Sequence, residues 1–342
     1  MALKNPTEAL AIEESLARED VFAHLSREWN IEVCSYSAVY RGLSNWKWVV
    51  NTPDNKLFVK CYHPKRYRLD EPKHKISIAR SLSFQRLLHD RANVCPDVMM
   101  HNGEMIIQSD SGYFYVVMEH FDGTPPRAGC LDANMMYRLG QASGRMHAVL
   151  SQYPEQGAPW RPVLTTMQEK WQIQMDQSME LPSLPTRLKR ALERQGELLH
   201  QLDLSIFDAL VPGWAHWDLW VDNILIGADG DIRLVDFDTV QWGYPEVDVA
   251  RVILSGALRN GQLQIGPTAA FLKGYREESP FAPGRLSLSL QLLWCREAHW
   301  WLKTNMDTFS APPKRFAEEM LWLTEHWDHL DTWLGPEGIM VK

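Results

Sequence analysis

Residues 211–251 constrain the fold of this chain more than any other part of its sequence. Two short apolar runs, at 224–226 and 232–235, flank the turn sequence Ala228-Asp229-Gly230-Asp231. An Asp-Gly pair between two such runs is a strong signal for a β-hairpin. Polar side chains stand before, at the start of and after this predicted hairpin: His216, Asp218, Asn223, Asp236 and Asp238. One rigid unit therefore carries several carboxylate and amide groups.

The predicted secondary structure changes near residue 122 from mostly β-strands to mostly helices. The apolar spacing predicts a helix over 6–28, and short aromatic and β-branched runs between 31 and 62 predict an antiparallel meander. A helix over 74–90 and strands in "EMIIQ" and "YFYVVMEHF" follow. Beyond "DGTPP" the pattern is helical, with predicted helices over 131–150 and near 185–204, 246–258, 284–304 and 314–333. We predict an α+β protein with a β-rich lobe over 1–121 and a mainly helical lobe over 122–342 that carries the hairpin.

Composition excludes several classes of protein. A net charge of -8 over 342 residues is unfavourable for nucleic-acid binding, which needs clustered Lys and Arg. No apolar run is long enough to span a membrane, and the N-terminus lacks the apolar core of a signal peptide. The five cysteines are widely spaced and form no C-x-x-C pair, which argues against a disulfide framework or a zinc site. We therefore expect a cytoplasmic protein without a nucleic-acid or membrane partner. The sequence does not indicate its oligomeric state.

The polar residues around the hairpin match one catalytic pattern. The protein-kinase catalytic loop has the spacing H-x-D-L-x-x-x-N, which occurs here as His216, Asp218, Leu219 and Asn223. The sequence D-F-D at 236–238 begins eighteen positions after Asp218, where kinases carry D-F-G. Turn chemistry alone explains Asp229 and Asp231, but it does not explain this shared spacing.

The chemistry of phosphoryl transfer accounts for these residue types. Negative charge spreads over the oxygens of the transferred group, so Mg²⁺ is needed to neutralise it. Magnesium prefers oxygen ligands and keeps several waters, so the carboxylate of Asp236 and the amide of Asn223 are a suitable pair. Asp218 is then left to orient an acceptor hydroxyl and to take its proton.

Residues 211–251 resemble the core of the aminoglycoside phosphotransferase and choline kinase superfamily. That family typically reads H-G-D-L-x-x-x-N-[IV]-L, a D-G turn, [IV]-D-[FW]-[DE] and G-x-P-x-x-D-[LV]-A. The last motif occurs here as Gly243, Pro245, Asp248, Val249 and Ala250. The resemblance implies a two-lobed protein-kinase-like fold and transfer of the γ-phosphate of ATP to a small-molecule hydroxyl. It also implies that Asp218 is the catalytic aspartate, that Asn223 and Asp236 bind Mg²⁺, and that Asp248 is structural. The sequence does not distinguish ATP from GTP.

The first lobe carries the expected nucleotide site. "YRGLSNWKWVV" resembles the family's nucleotide loop, G-G-x-S-N, which implies that Gly42, Ser44 and Asn45 contact the nucleotide. Lys60 lies on the next predicted strand, where a lysine reaches the α- and β-phosphates. "VVMEHFDG" resembles the family's hinge, so the backbone near Glu119 and Phe121 is expected to meet adenine.

One feature departs from the kinase pattern. Kinases pair the lysine with a Glu on the first-lobe helix, but "KISIARSLSFQRLLHD" contains no Glu, and Ser81 occupies that place. Another acid such as Glu71 reaches Lys60, the register of the comparison is wrong, or the lysine is held differently. The departure keeps open a nucleotide-binding relative without efficient catalysis, and a kinase that acts on protein side chains is a further alternative.

The expected acceptor site lies on the later helices. Trp294, Glu297 and Trp301 fall on one face of a predicted helix, and Trp220 and Asp238 adjoin the catalytic positions. Aromatic faces combined with an acid suit a protonated or quaternary amine, at about 0.5–2 kcal/mol per cation–π contact. These residues fit an acceptor of the amino-alcohol, choline, aminoglycoside or sugar type, and the sequence does not choose among them.

Overall fold

The structure, a computed structural model, describes residues 6–40, 45–155 and 157–331. The chain forms two compact units. The first unit contains the residues up to Thr124 together with Gly227–Thr239, and the second contains Pro125–Ile226 and the residues from Val240 onward. No helix in the described part of the chain is long and apolar enough to cross a bilayer.

The strands are β1 Ser35–Ala38, β2 Asn45–Asn51, β3 Lys56–Tyr62, β4 Ile107–Gln108, β5 Phe114–Glu119, β6 Gly123–Thr124, β7 Gly213–Ala215, β8 Ile224–Gly227, β9 Ile232–Leu234, β10 Gln241–Gly243, β11 Leu258–Arg259 and β12 Gln262–Leu263. The helices are α1 Pro6–Glu28, α2 Pro64–Tyr67, α3 Pro72–Ala92, α4 Ala133–Leu150, α5 Leu164–Glu180, α6 Thr186–Gln201, α7 Glu246–Ala257, α8 Ile265–Glu278, α9 Arg285–Trp301 and α10 Pro313–His326. Short 3-10 helices occur at Leu204–Phe207, Val221–Asn223, Phe237–Thr239, Met306–Thr308 and Trp327–His329.

The first unit is built on an antiparallel sheet with the strand order β1-β2-β3-β5-β4. Successive side chains of a strand point to opposite faces, so alternate residues of β3 pack in two different hydrophobic clusters. Val59 and Cys61 pack in a cluster with Val21 and Leu25 of α1. Tyr62 packs in a second cluster with Ile78 and Leu82 of α3. Lys60 alternates with Val59 and Cys61, so it belongs to the α3 face of the sheet.

The second unit is mainly helical, and its closest helix packing is between α4 and α8. A Cβ atom built on Gly140 would lie 2.1 Å from the carbonyl oxygen of Phe271, and one built on Gly274 would lie 2.1 Å from that of Tyr137. The two backbones can approach this closely only because both positions lack a side chain. Helix α9 packs against α7 and α10.

The sequence predicted most of these elements. The α+β class, the meander formed by β1, β2 and β3, and the helices α1, α3, α4, α6, α7, α9 and α10 are confirmed. The strand predicted from "EMIIQ" is only two residues long. Helices α5 and α8 were not predicted. The assignment of nucleotide binding to residues 1–121 and acceptor binding to 122–342 stays a prediction.

Candidate active site

A buried carboxylate fixes the loop that contains Asp218. Strands β7 and β10 pair on either side of this segment, with Trp214 opposite Trp242. Asp248, in the first turn of α7, accepts hydrogen bonds from the backbone N–H groups of His216 at 2.6 Å and Trp217 at 2.9 Å. Asp248 is fully buried and lies 3.1 Å from Nε2 of His147. These contacts hold the backbone immediately before Asp218, in agreement with the structural role expected for Asp248.

Asn223 and Asp218 are joined directly. Nδ2 of Asn223 donates to the backbone oxygen of Asp218 at 2.8 Å and to its Oδ2 at 3.1 Å. Because the amide nitrogen is used in this way, the amide oxygen is the atom that Asn223 can offer to a cation. An amide oxygen is a suitable ligand for Mg²⁺, so this arrangement is compatible with the predicted role of Asn223 as a magnesium ligand.

Asp218 lines a small cavity in the second unit. Its volume is about 170 Å³, and its walls are formed by Asp218, Arg251, Arg296, Glu297, Trp300, Trp301 and Phe316. Trp301 packs against Phe316 with ring centroids 5.0 Å apart, and Trp220 meets the same ring edge-on at 4.8 Å. The structure thus brings Asp218 and Trp301 together, whereas Trp220 contacts Phe316 but is not among the described residues that line the cavity.

Two predicted acceptor residues have other partners. The carboxylate of Glu297 lies 2.7 Å from Arg251 and 2.5 Å from Arg296, so its charge is already balanced. Trp294 is 1% exposed, and its indole N–H donates to Oγ1 of Thr324 at 2.8 Å. Its ring has almost no surface to offer an acceptor, and the predicted contact between Trp294 and the acceptor stays a prediction.

Two arginines of the cavity, Arg251 and Arg296, were not predicted from the sequence. Arg251 also forms an ion pair with the buried Glu319. Burial lowers the pKa of Arg251, although the carboxylate of Glu297 opposes this effect. Arg296 donates to the backbone oxygen of Trp217 at 2.7 Å. No spacing in the sequence marks Arg296, but Arg251 could have been noticed as a charged residue in the apolar run of α7.

The first unit contains a cluster of two lysines and two aspartates. Nζ of Lys60 lies 2.7 Å from Oδ1 of Asp236 and 2.6 Å from Oδ2 of Asp238. Lys47, which is opposite Lys60 in the ladder, lies 3.3 Å from Oδ2 of Asp236. Burial lowers the pKa of Lys60, but the two carboxylates outweigh burial and hold the pKa well above its usual value. Burial raises the pKa of Asp236, but Lys60 and Lys47 outweigh it and hold the pKa well below its usual value.

Asp238, which the sequence predicts to contact the acceptor, has other partners, and its contact with the acceptor stays a prediction. Its carboxylate is held within the first unit by Lys60 and by the hydroxyl of Tyr62, which donates at 3.3 Å. Glu71, the alternative partner considered for Lys60, instead pairs with Arg68 at 3.0 Å. Ser81, which occupies the place of the kinase glutamate on α3, is buried.

The structure describes only some of the other residues that were predicted to contact the nucleotide. Gly42 and Ser44 lie outside the described residues. Asn45 begins β2, and its amide donates to the hydroxyl of Tyr67 at 3.1 Å. The backbone N–H of Glu119 donates to the carbonyl of Asp97 at 3.0 Å, so this N–H group already has a partner. The ring of Phe121 lies under the guanidinium group of Arg233 at 5.1 Å.

A larger depression of about 650 Å³ surrounds Glu119 in the same unit. It is open to solvent, and its lining includes Lys56, His89 and Asp97. Lys60 and Asp236 are not among the described residues that line it. Binding of the nucleotide phosphates at the lysine and aspartate cluster stays a prediction.

Comparisons with known proteins give the same result as the motifs. A family model described as "APH: Phosphotransferase enzyme family" matches residues 35–288. An amicoumacin kinase in complex with AMP-PNP, Ca²⁺ and Ami is 18% identical with a TM-score of 0.59, covering 92% of this chain and 95% of that chain. A spectinomycin phosphotransferase in complex with ADP and spectinomycin is 13% identical with a TM-score of 0.57, covering 91% and 94%. A choline kinase from Cryptosporidium parvum Iowa II is 15% identical with a TM-score of 0.54, covering 94% and 97%.

No curated protein matches the chain. At these identities the solved structures show the fold alone, and they confirm the predicted kinase-like class. The family model spans most of the sequence and includes both the lysine cluster and the Asp218 loop. On this ground the chain belongs to the APH family of phosphotransferase enzymes.

Proposed function

We propose that this protein is an ATP- and Mg²⁺-dependent kinase that transfers the γ-phosphate to a hydroxyl group of a small molecule. The observation that carries the proposal is the position of Asp218 in the wall of a small cavity of about 170 Å³. A carboxylate in such a cavity can orient a bound hydroxyl and accept its proton. The family membership supports the reaction class.

Each residue of the site has its own role in the proposed reaction. Asp218 takes the proton of the acceptor hydroxyl, and Asn223 holds that carboxylate through its amide N–H at 3.1 Å. Lys60 binds phosphate oxygens. Asp236 and Asn223 would hold Mg²⁺, which when bound neutralises charge on the phosphates. The structures of relatives with AMP-PNP, ADP or GDP support nucleotide use but not a choice between ATP and GTP.

The cavity favours an acceptor of amino-alcohol size. Drug-sized ligands occupy pockets of roughly 300–1,000 Å³, so about 170 Å³ is small for a multi-ring aminoglycoside. The aromatic walls formed by Trp300, Trp301 and Phe316 suit a molecule with an apolar or cationic face. Glu297 is neutralised by arginines, and Asp218 is the other carboxylate in the wall of the cavity.

The test is ADP release with a panel of amino alcohols, cholines, hydroxylated amino acids and aminoglycosides. We expect turnover with a small acceptor, and we expect Asp218→Asn to lower kcat by about 10²–10⁴-fold while nucleotide binding is kept. The matched control is Asp231→Asn, an exposed carboxylate in the hairpin turn, which should behave as wild type. Unchanged turnover in Asp218→Asn would remove the mechanism.

Two other outcomes would replace the proposal. Magnesium-dependent nucleotide binding without ADP release for any acceptor would favour a catalytically inactive binding protein. Transfer of labelled phosphate to polypeptide, with none to small molecules, would favour a protein kinase.

A further inference from the structure

Lys60 is a buried ammonium group without the partner that kinases normally supply. Its side chain is 3% exposed and lies on the α3 face of the sheet. A buried charge must be paired, because its desolvation costs several kcal/mol. Helix α3 carries no Glu at the matching position, and Ser81 is buried there instead.

Asp238 supplies the missing negative charge from a different element. It lies in the short helix Phe237–Thr239, which packs against α3. Its Oδ2 is 2.6 Å from Nζ of Lys60, and its side chain is 5% exposed. The hydroxyl of Tyr62 donates to the other carboxylate oxygen at 3.3 Å, and Nδ2 of Asn45 is 3.5 Å from Oδ2. The carboxylate is therefore held from several sides.

The two aspartates that contact Lys60 differ in their access to solvent. The side chain of Asp236 is 28% exposed, against 5% for Asp238. Asp236 also accepts from Lys47 at 3.3 Å, so it is the carboxylate at which both lysines meet. A cation that enters the cluster reaches Asp236 first, whereas Asp238 stays enclosed with Lys60.

We infer that Asp238 is the positioning residue of Lys60 and replaces the helix glutamate of other kinases. Asp236 is then free to bind the metal ion without leaving Lys60 unpaired. The inference rests on the proposed function, because positioning matters only if Lys60 binds nucleotide phosphates.

The test measures binding of Mg²⁺·AMP-PNP to the full chain by titration calorimetry, which needs no acceptor. We expect Asp238→Asn to weaken binding by at least about tenfold, as befits the loss of a charge-assisted contact. In the Lys60→Met background the same substitution should have little further effect. An additive loss in the two backgrounds would show that Asp238 does not act through Lys60, and wild-type binding in Asp238→Asn would also overturn the inference.

Magnesium dependence separates the two aspartates. Asp236→Asn should raise the Mg²⁺ concentration needed for half-maximal nucleotide binding, and Asp238→Asn should leave it unchanged. An equal increase in both variants would make Asp238 a metal ligand and not a positioning residue. Asp231→Asn serves as the control for a lost carboxylate in the same unit.

A folding defect in Asp238→Asn would still be informative. If the defect arises because Lys60 is left unpaired, Lys60→Met combined with Asp238→Asn should recover thermal stability relative to Asp238→Asn alone. Failure to recover would count against the pairing. If the wild-type chain binds no nucleotide at all, the proposed function fails, whereas wild-type binding that is insensitive to Asp238 defeats only this inference.

Discussion

Trp217 holds a backbone conformation that favours glycine. Its φ is 72°, in the left-handed region, at the position where the family typically has Gly. Such a conformation costs about 1–3 kcal/mol for a residue with a bulky side chain. Asp248 binds the N–H group and Arg296 binds the carbonyl oxygen, so the backbone is held on both sides of the residue. The indole is 8% exposed and meets Trp160 edge-on at 5.2 Å. Packing thus offsets backbone strain beside the catalytic carboxylate.

Trp217→Gly should lower the free energy of unfolding. Glycine relieves about 1–3 kcal/mol of strain, but loss of a buried tryptophan costs about 3–5 kcal/mol. We expect a net loss of about 2 kcal/mol in urea denaturation. An increase in stability would mean that strain outweighs packing at this position.

Gly243 provides the internal check on this prediction. A Cβ atom at Gly243 would lie 2.6 Å from Cζ3 of the Trp217 ring. Gly243→Ala should therefore cost about 1–3 kcal/mol by overpacking in the wild-type chain. It should cost much less in Trp217→Gly, and an equal penalty in both backgrounds would show that the ring is not what excludes the methyl group.

At the scale of elements, the contact between α4 and α8 is set by glycines. Gly140→Ala would place a methyl carbon 2.1 Å from the Phe271 carbonyl oxygen and 2.9 Å from the backbone nitrogen of Tyr275. Both obstacles are backbone atoms, so the helices must separate and lose packing. We expect a loss of about 3 kcal/mol or more in the free energy of unfolding, measured by chemical denaturation.

Gly266→Ala is the matched control within α8. No heavy atom lies within 4 Å of a Cβ built at Gly266. Alanine is a better helix former than glycine by about 1 kcal/mol, so this variant should be neutral or more stable than wild type. Similar losses for Gly140→Ala and Gly266→Ala would contradict the close-packing explanation.

The same glycines show where sequence patterns stop being informative. Helix α8 escaped prediction because Gly266, Pro267 and Gly274 are helix-breaking residues, yet Gly274 is needed for the approach to α4. Helix α5 escaped because it buries only Met167 among its described residues, which leaves little apolar periodicity. Helices with a continuous buried face, such as α4, were predicted well.

The candidate site was predictable to the extent that its residues are close in sequence. Asp218, Asn223, Asp236 and Asp248 lie within one motif, and the motif gave their order and spacing. Asp238, a partner of Lys60, lies 178 positions away in the chain, and nothing in the sequence of β3 indicates this pairing. Glu297 of α9 forms an ion pair with Arg251 of α7. The periodicity of one helix could not reveal this pairing between two helices.

At the scale of the whole molecule, the expected chemistry is divided between the two compact units. The first unit holds Lys60 and Asp236, and the second holds Asp218 and its cavity. A ligand that binds only the folded form stabilises whatever it contacts, by about 2.7 kcal/mol at a concentration of 100 Kd. Nucleotide binding to the lysine and aspartate cluster should therefore appear as thermal stabilisation, even when no acceptor is known.

We expect Mg²⁺·AMP-PNP at 100 Kd to raise the thermal midpoint by a few degrees, since about 2.7 kcal/mol is spread over a large unfolding entropy. Each variant is compared with its own ligand-free midpoint. At the same ligand concentration the shift should be lost in Lys60→Met and kept in Asp231→Asn, because Lys60 contacts both carboxylates of the cluster, whereas Asp231 is an exposed residue of the hairpin turn. Where calorimetry resolves two transitions, the one that shifts should belong to the first unit. A full shift in Lys60→Met would move the nucleotide site away from this cluster.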